Sequence, residues 1–192
     1  VEALRYLYLG AANPPAELAA VESTKDGIRL LVLGDYLPEV TKKQMELLSG
    51  ASKNMPANVK VLVKGHPACP IHKDQWPMIK MEIINTPLDQ LFNEYDIAYT
   101  SNSTAAAVDA YLAGKRVLTN LDPDAFNMSP LRGFPGVKFV VTPEELLANL
   151  TDSNEGVGEK AGDTVEADQF FFTDSALPQW KKLLNGFESE KT

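Results

Sequence analysis

Six short runs of β-branched and aliphatic residues alternate with helical patterns, and that rhythm restricts the fold of this chain more than any other feature. The runs lie at 28–33, 59–63, 81–84, 97–100, 116–119 and 138–141, and the helical patterns at 41–48, 87–95, 104–113 and 143–150. Strands that are apolar almost throughout, with helices between them, imply a parallel sheet covered on both faces, so the expected class is doubly wound α/β. Local signals agree. Thr41 is placed to cap the helix carrying Met45, Leu47 and Leu48, and Thr142-Pro143-Glu144-Glu145 sets a cap, a first-turn proline and acids in order. Gly50 and Gly114 fall where helices should stop. No internal repeat is present.

With 192 residues, 44% hydrophobic and 23% charged, the chain can bury one sizeable core. A net charge of −8, from 26 acidic and 18 basic residues, argues against a nucleic-acid or anionic-membrane surface, since binding there needs a basic footprint. The single cysteine, Cys69, excludes an internal disulfide, and neither a secretory signal nor an apolar run near the roughly 20 residues of a spanning helix is evident. A cytoplasmic location is expected. The chain begins at Val1 rather than methionine, which fits an excised domain or a processed piece.

Four regions are expected. Residues 1–27 form an N-terminal linker and helix, with Leu4, Leu7 and Tyr8 on an amphipathic turn before Pro14-Pro15. Residues 28–150 form the α/β domain. Residues 151–168, rich in Gly, Asp, Glu, Ser and Thr and lacking aromatics, read as a flexible linker. Residues 169–192 regain apolar content from Phe170 and read as a docking helix.

Two loops carry the chemistry. Lys64-Gly65-His66-Pro67 follows the second run, and Ser101-Asn102-Ser103-Thr104 follows the fourth, directly before an Ala-rich helical stretch. Both leave the carboxyl ends of their strands, where open parallel sheets bind ligands, and together they offer a cation and a helix N-terminus to a phosphate. Pro67 biases His66 toward an extended backbone, and the imidazole could donate to a phosphate oxygen or protonate a departing one. The plain alternative is a surface-loop histidine. Four consecutive polar residues at 101–104 exceed the need of one N-cap, although a cap is their simplest use. His66 and the Ser101–Thr104 loop are expected to converge at the ends of adjacent strands. Asp109 could accept hydrogen bonds from two ribose hydroxyls, or be a solvated helix charge. Gly34-Asp35-Tyr36 is a further loop on the same edge, or an ordinary strand-to-helix turn.

His66, Cys69 and His72 have metal-like spacing, but structural zinc usually takes four ligands and these are all the histidines and cysteines in the chain. A carboxylate would have to complete such a site, and neither metal nor cofactor is expected. No Walker loop, Gly-x-Gly-x-x-Gly or nucleophile elbow is found.

The set Lys64-Gly65-His66-Pro67, Ser101-Asn102-Ser103-Thr104, and Asp109 followed by Gly114 and Arg116-Val117 resembles the C-terminal, donor-binding half of GT-B glycosyltransferases. Within that group it looks most like bacterial enzymes of surface polysaccharide biosynthesis that use CMP-activated sialic acid or Kdo. The resemblance spans residues 28–150 and implies a Rossmann-like domain binding a nucleotide sugar. It implies that His66 contacts the donor phosphate and assists its departure, with Lys64, Gly65, Pro67, Gly34 and Asp35 around the nucleotide. Ser101, Asn102, Ser103 and Thr104 would hold phosphate, and Asp109 would face the ribose. Asp109 is one methylene shorter than the usual Glu, and Lys115-Arg116 replaces the usual small residue and proline. The resemblance also implies a missing N-terminal domain that binds acceptor and supplies the base, and a full-length enzyme peripheral to the inner membrane. The alternatives are a non-catalytic nucleotide- or phosphate-binding module and a domain like those of UDP-sugar epimerases.

Overall fold

The structure, a computed structural model, describes residues 27–151 and 178–189. The expected N-terminal helix and the linker expected at 151–168 lie outside the described residues, except Thr151, which ends the helix Pro143–Thr151. The elements are β1 (Ile28–Leu33), α1 (Pro38–Ser52), β2 (Val59–Lys64), β3 (Met81–Ile83), β4 (Ile97–Ser101), α2 (Ala106–Leu112), β5 (Arg116–Asn120), β6 (Val137–Val140), α3 (Pro143–Thr151) and α4 (Pro178–Ser189). The six strands form one parallel sheet in the order β3-β2-β1-β4-β5-β6. This is the doubly wound order of Rossmann-like folds.

Alternate residues of the central strands serve opposite faces, and both faces are dry. Leu31 and Leu33 of β1 pack with Leu62, Ala98, Val108, Tyr111 and Val117 on the α2 side. Leu30 and Val32 pack with Val61, Val63, Tyr99, Met45, Leu48, Leu146 and Leu150 on the side of α1 and α3. A sheet buried on both faces accounts for strands that read as unbroken apolar runs.

Three local expectations are corrected. The helix expected at 41–48 starts earlier, at Pro38, so Thr41 is internal and its hydroxyl bridges the backbone of Asp35 instead of capping. Gly50 does not end that helix. It lies against α3, where a Cβ would come within 2.8 Å of Pro143 Cγ, so it is a packing glycine between two helices. The segment 87–95 is not a helix: a 3-10 turn at Leu88–Gln90 is followed by further turns. Its Leu91, Phe92 and Tyr95 are buried at helical spacing, but its backbone bonds are of i→i−3 type, and the Asn93 carbonyl accepts from Arg29 Nη1 at 2.8 Å. Gly114, with φ of 71°, does end α2. Thr142 does cap α3, accepting from Glu145 N at 3.2 Å. The last region does hold a helix, α4, on which Trp180, Leu183 and Leu184 are 46%, 52% and 59% exposed.

At the amino edge of the sheet Asp96 ties β1 to β4. Its carboxylate accepts from Arg29 Nη2 at 2.7 Å, from Arg29 Nε at 3.1 Å and from the Arg29 backbone at 2.8 Å. Burial opposes its charge, yet the hydrogen bonds and charge of Arg29 prevail and hold its carboxyl below the ordinary value. A carboxyl group whose folded pKa is depressed stabilises the fold above its unfolded pKa, and that contribution is lost as pH falls through the folded value. Wild type should therefore exceed Asp96→Asn in urea stability at neutral pH, with the gap closing below about pH 4. A gap that does not change with pH would contradict this account.

Candidate functional site

Sequence order reverses between β1 and β4, and the crevice beyond the carboxyl ends of these two strands is where doubly wound sheets bind ligands. Two buried devices hold this junction. Gln44 Nε2, from the apolar face of α1, donates to Leu33 O at 3.2 Å and to Tyr99 O at 3.0 Å, so α1 clamps both strands. The Tyr99 hydroxyl returns a bond to Gln44 O at 3.3 Å, and burial pushes its phenol pKa far up.

The second device is Asp35, only 1% exposed. Its Oδ2 accepts from Ser101 Oγ at 2.5 Å and Ser103 Oγ at 2.8 Å, and its Oδ1 from Leu37 N at 3.0 Å. Thr41 Oγ1 accepts from Asp35 N and donates to Asp35 O, both at 2.9 Å. The loops after β1 and β4 are thus joined through one carboxylate. Ser101 is the last residue of β4 rather than the first of a loop, and is itself 1% exposed. Its oxygen accepts from Ser103 N at 3.4 Å and Thr104 N at 3.2 Å. The expected use of the Ser101 hydroxyl as a phosphate donor is therefore corrected, because its proton goes to Asp35.

The remaining polar residues of that loop have local tasks. Thr104 Oγ1 accepts from Ala106 N at 3.3 Å, and Asn102 Nδ2 donates to Phe126 O at 3.1 Å, tying the loop to the β5–β6 connection. The following helix, α2, has seven residues and begins at Ala106 with no side-chain cap. Asp109 lies within it at 1% exposure, between the buried Val108 and Ala110. It is therefore not a solvated helix charge, which corrects that reading. An acid in an Ala-rich helix carries no sign in sequence of which face it occupies.

On the other side of β1, Gly34 N donates to Lys64 O at 3.0 Å. A Cβ on Gly34 would lie 3.4 Å from Gly65 Cα, 3.5 Å from His66 N and 3.1 Å from Ile71 Cδ1. The glycines therefore let the loops after β1 and β2 lie in contact. Lys64 is the final residue of β2, and His66 and Pro67 are exposed beyond it. His66 Nδ1 accepts from Ala68 N at 3.1 Å, which places the proton of the neutral ring on Nε2. Tyr36, which the sequence placed in a loop on this edge without a task, packs edge-to-face on His66 at 6.2 Å between ring centroids. His66 and the Ser101–Thr104 loop do not leave adjacent strands, since β1 lies between β2 and β4. Asp35 and Tyr36 span that gap, one meeting each loop. Among the described residues no group of three His, Cys, Asp or Glu is arranged to hold a metal ion, and no helix is long and apolar enough to cross a membrane.

No protein-family model matches the sequence, and no curated protein matches it either. Solved structures do. HepE of Anabaena in complex with UDP and glucose aligns over 96% of this chain and 53% of that one, at TM-score 0.57 and 12% identity. HepE with UDP-glucose aligns at TM-score 0.56 and 13% identity over 96% of this chain and 54% of that one. MurG of Acinetobacter baumannii reaches TM-score 0.49 at 15% identity over 67% of this chain and 42% of that one. The likeness is one of fold. The chain spans about half the length of the HepE structures it matches, and the likeness lies in the Rossmann-like parallel sheet.

Removing the Ser101 hydroxyl strips Asp35 Oδ2 of one donor and two amides of their acceptor. Ser101→Ala should therefore cost about 1–3 kcal/mol of stability by chemical denaturation, with Ser103→Ala costing less because residue 103 is exposed. Equal stability of Ser101→Ala and wild type would refute the anchoring role of Asp35.

Proposed function

We propose that this chain is the nucleotide-sugar-binding half of a glycosyltransferase, with CMP-sugar as the favoured donor and surface polysaccharide biosynthesis as its setting. The observation that carries the reading is the meeting of three carboxyl-end loops around the β1/β4 crevice, with Lys64 and His66 on one flank. Its fold likeness to HepE, a protein seen with UDP-glucose, supports the same ligand class.

In this reading Lys64 supplies positive charge to the donor phosphate, and His66 donates from Nε2 to a phosphoryl oxygen. As the bond from sugar to phosphate breaks, negative charge gathers on that oxygen, and a proton or hydrogen bond from His66 favours departure. The glycines at 34 and 65 let the loops that would face the ligand pack together, and Tyr36 lies against the imidazole. Acceptor binding and the base belong to a second domain outside this chain, and the whole enzyme is peripheral to the inner membrane. The competing nucleotide is UDP, which HepE binds.

His66→Ala should weaken nucleotide binding by about 1–3 kcal/mol in calorimetric titrations with CMP and UDP. CMP binding more tightly than UDP favours the CMP-sugar reading, and the reverse order removes it. Indifference of both nucleotides to the substitution would take His66 out of the site. The chain by itself should transfer no sugar from CMP-sialic acid or UDP-glucose to a saccharide, because nothing orients the acceptor. Steady turnover by this chain would show that the acceptor site lies within it.

A further inference from the structure

We propose that the carboxyl edge is polar in its ligand preference, phosphate being held over the end of β2 and a sugar-ring hydroxyl being received by Ser103 over the end of β4. The proposal deepens the nucleotide-sugar reading and rests on it. It follows from where the hydroxyl protons go. A serine hydroxyl has one proton to donate and two lone pairs to accept with. Ser101 and Ser103 both give their proton to Asp35 Oδ2, at 2.5 Å and 2.8 Å. Ser101 then fills its accepting capacity with the amides of Ser103 and Thr104. Ser103 Oγ is left with lone pairs, on a residue that is exposed.

A phosphoryl oxygen only accepts, so it gains nothing from Ser103 in this state, and it would also face the charge of Asp35. A ring hydroxyl donates. It can complete Ser103 without disturbing the bonds to Asp35. Asp35 itself can only accept when ionised, is 1% exposed, and makes no ion pair among the described residues, so it keeps both serine protons pointed inward. Across β1 the preference reverses, because Lys64 has donors alone and the neutral His66 ring, with Nδ1 occupied by Ala68 N, has a donor at Nε2. One edge of the sheet thus offers donors on the β2 side and an acceptor on the β4 side. The ring hydroxyl has two sources, the ribose of the nucleotide or the sugar it carries. Asp35 acts through Ser103 and is a positioning residue.

The test is isothermal titration of the full chain, as wild type, Ser103→Ala, Asp35→Asn and His66→Ala, with inorganic pyrophosphate, CMP, UDP, their 2′,3′-dideoxy counterparts and UDP-glucose. Ser103→Ala should weaken hydroxyl-bearing ligands by about three- to tenfold and leave pyrophosphate unchanged, whereas His66→Ala should weaken both. A loss seen with CMP or UDP and absent from the dideoxy compounds assigns the ribose, and a loss seen only with UDP-glucose assigns the sugar. Asp35→Asn, which frees a serine proton and removes a charge, should tighten pyrophosphate and erase the preference for hydroxyl-bearing ligands. If Asp35→Asn does not fold, Ser103→Ala decides alone. Ser103→Ala weakening pyrophosphate as much as UDP-glucose, or changing nothing, overturns the proposal while the nucleotide reading stands. No binding of any nucleotide by wild type overturns both.

Discussion

A buried carboxylate must have donors, and Asp35 obtains two of its three from the end of a different strand. That demand decides much of the carboxyl edge. It draws the loop after β4 onto the loop after β1 and sets the direction of two serine protons. It also fixes the start of α1, because the Thr41 hydroxyl that satisfies the Asp35 backbone has to sit one turn inside the helix. The switch point of the sheet is therefore a stitched junction, in which the same polar groups that join the strands also define the surface shown to a ligand.

The two edges of the sheet divide the polar residues by task. At the amino edge, Arg29 and Asp96 join β1 to β4 with paired charges and a backbone bond. Nearby, Lys115 lies 5.5 Å over the Tyr95 ring, its ammonium pKa lowered by burial although Asp96 pulls the other way. The Arg29–Asp96 contacts form a closed set, with Arg29 Nη1 taken up by the Asn93 carbonyl. At the carboxyl edge the sets remain open, with exposed His66 and Ser103 at their rims. The amino edge thus holds the strands in register, and the carboxyl edge keeps polar groups facing outward.

Most of the sheet could be read from the chain, because strands buried on both faces must be apolar along their whole length and the glycines and prolines between them mark the ends. What failed was every inference that depended on a partner distant in sequence. Leu91, Phe92 and Tyr95 have helical spacing, but Arg29 takes a carbonyl that a helix would need. Gly50 reads as a stop signal until Pro143 is seen against it. The Ser101–Thr104 loop reads as a phosphate cradle until Asp35, more than sixty residues away, claims its protons. Local physics picked out the polar loops, and only the tertiary pairing revealed which way their hydrogen bonds run. Gln44 gave some warning, being a polar residue on the same helical face as Met45 and Leu48.

The contact from Ala68 N to His66 Nδ1 restricts how this ring can meet anything outside the chain. In serine hydrolases an imidazole works through both nitrogens, one facing the reaction and the other a carboxylate that steadies the charged ring. Here the inner nitrogen accepts from a backbone amide rather than donating to a carboxylate. Only Nε2 is left to face the surroundings, and Tyr36 packs against the ring from the side. A ring held in this way presents a single nitrogen in a fixed direction, beside the Lys64 that closes β2.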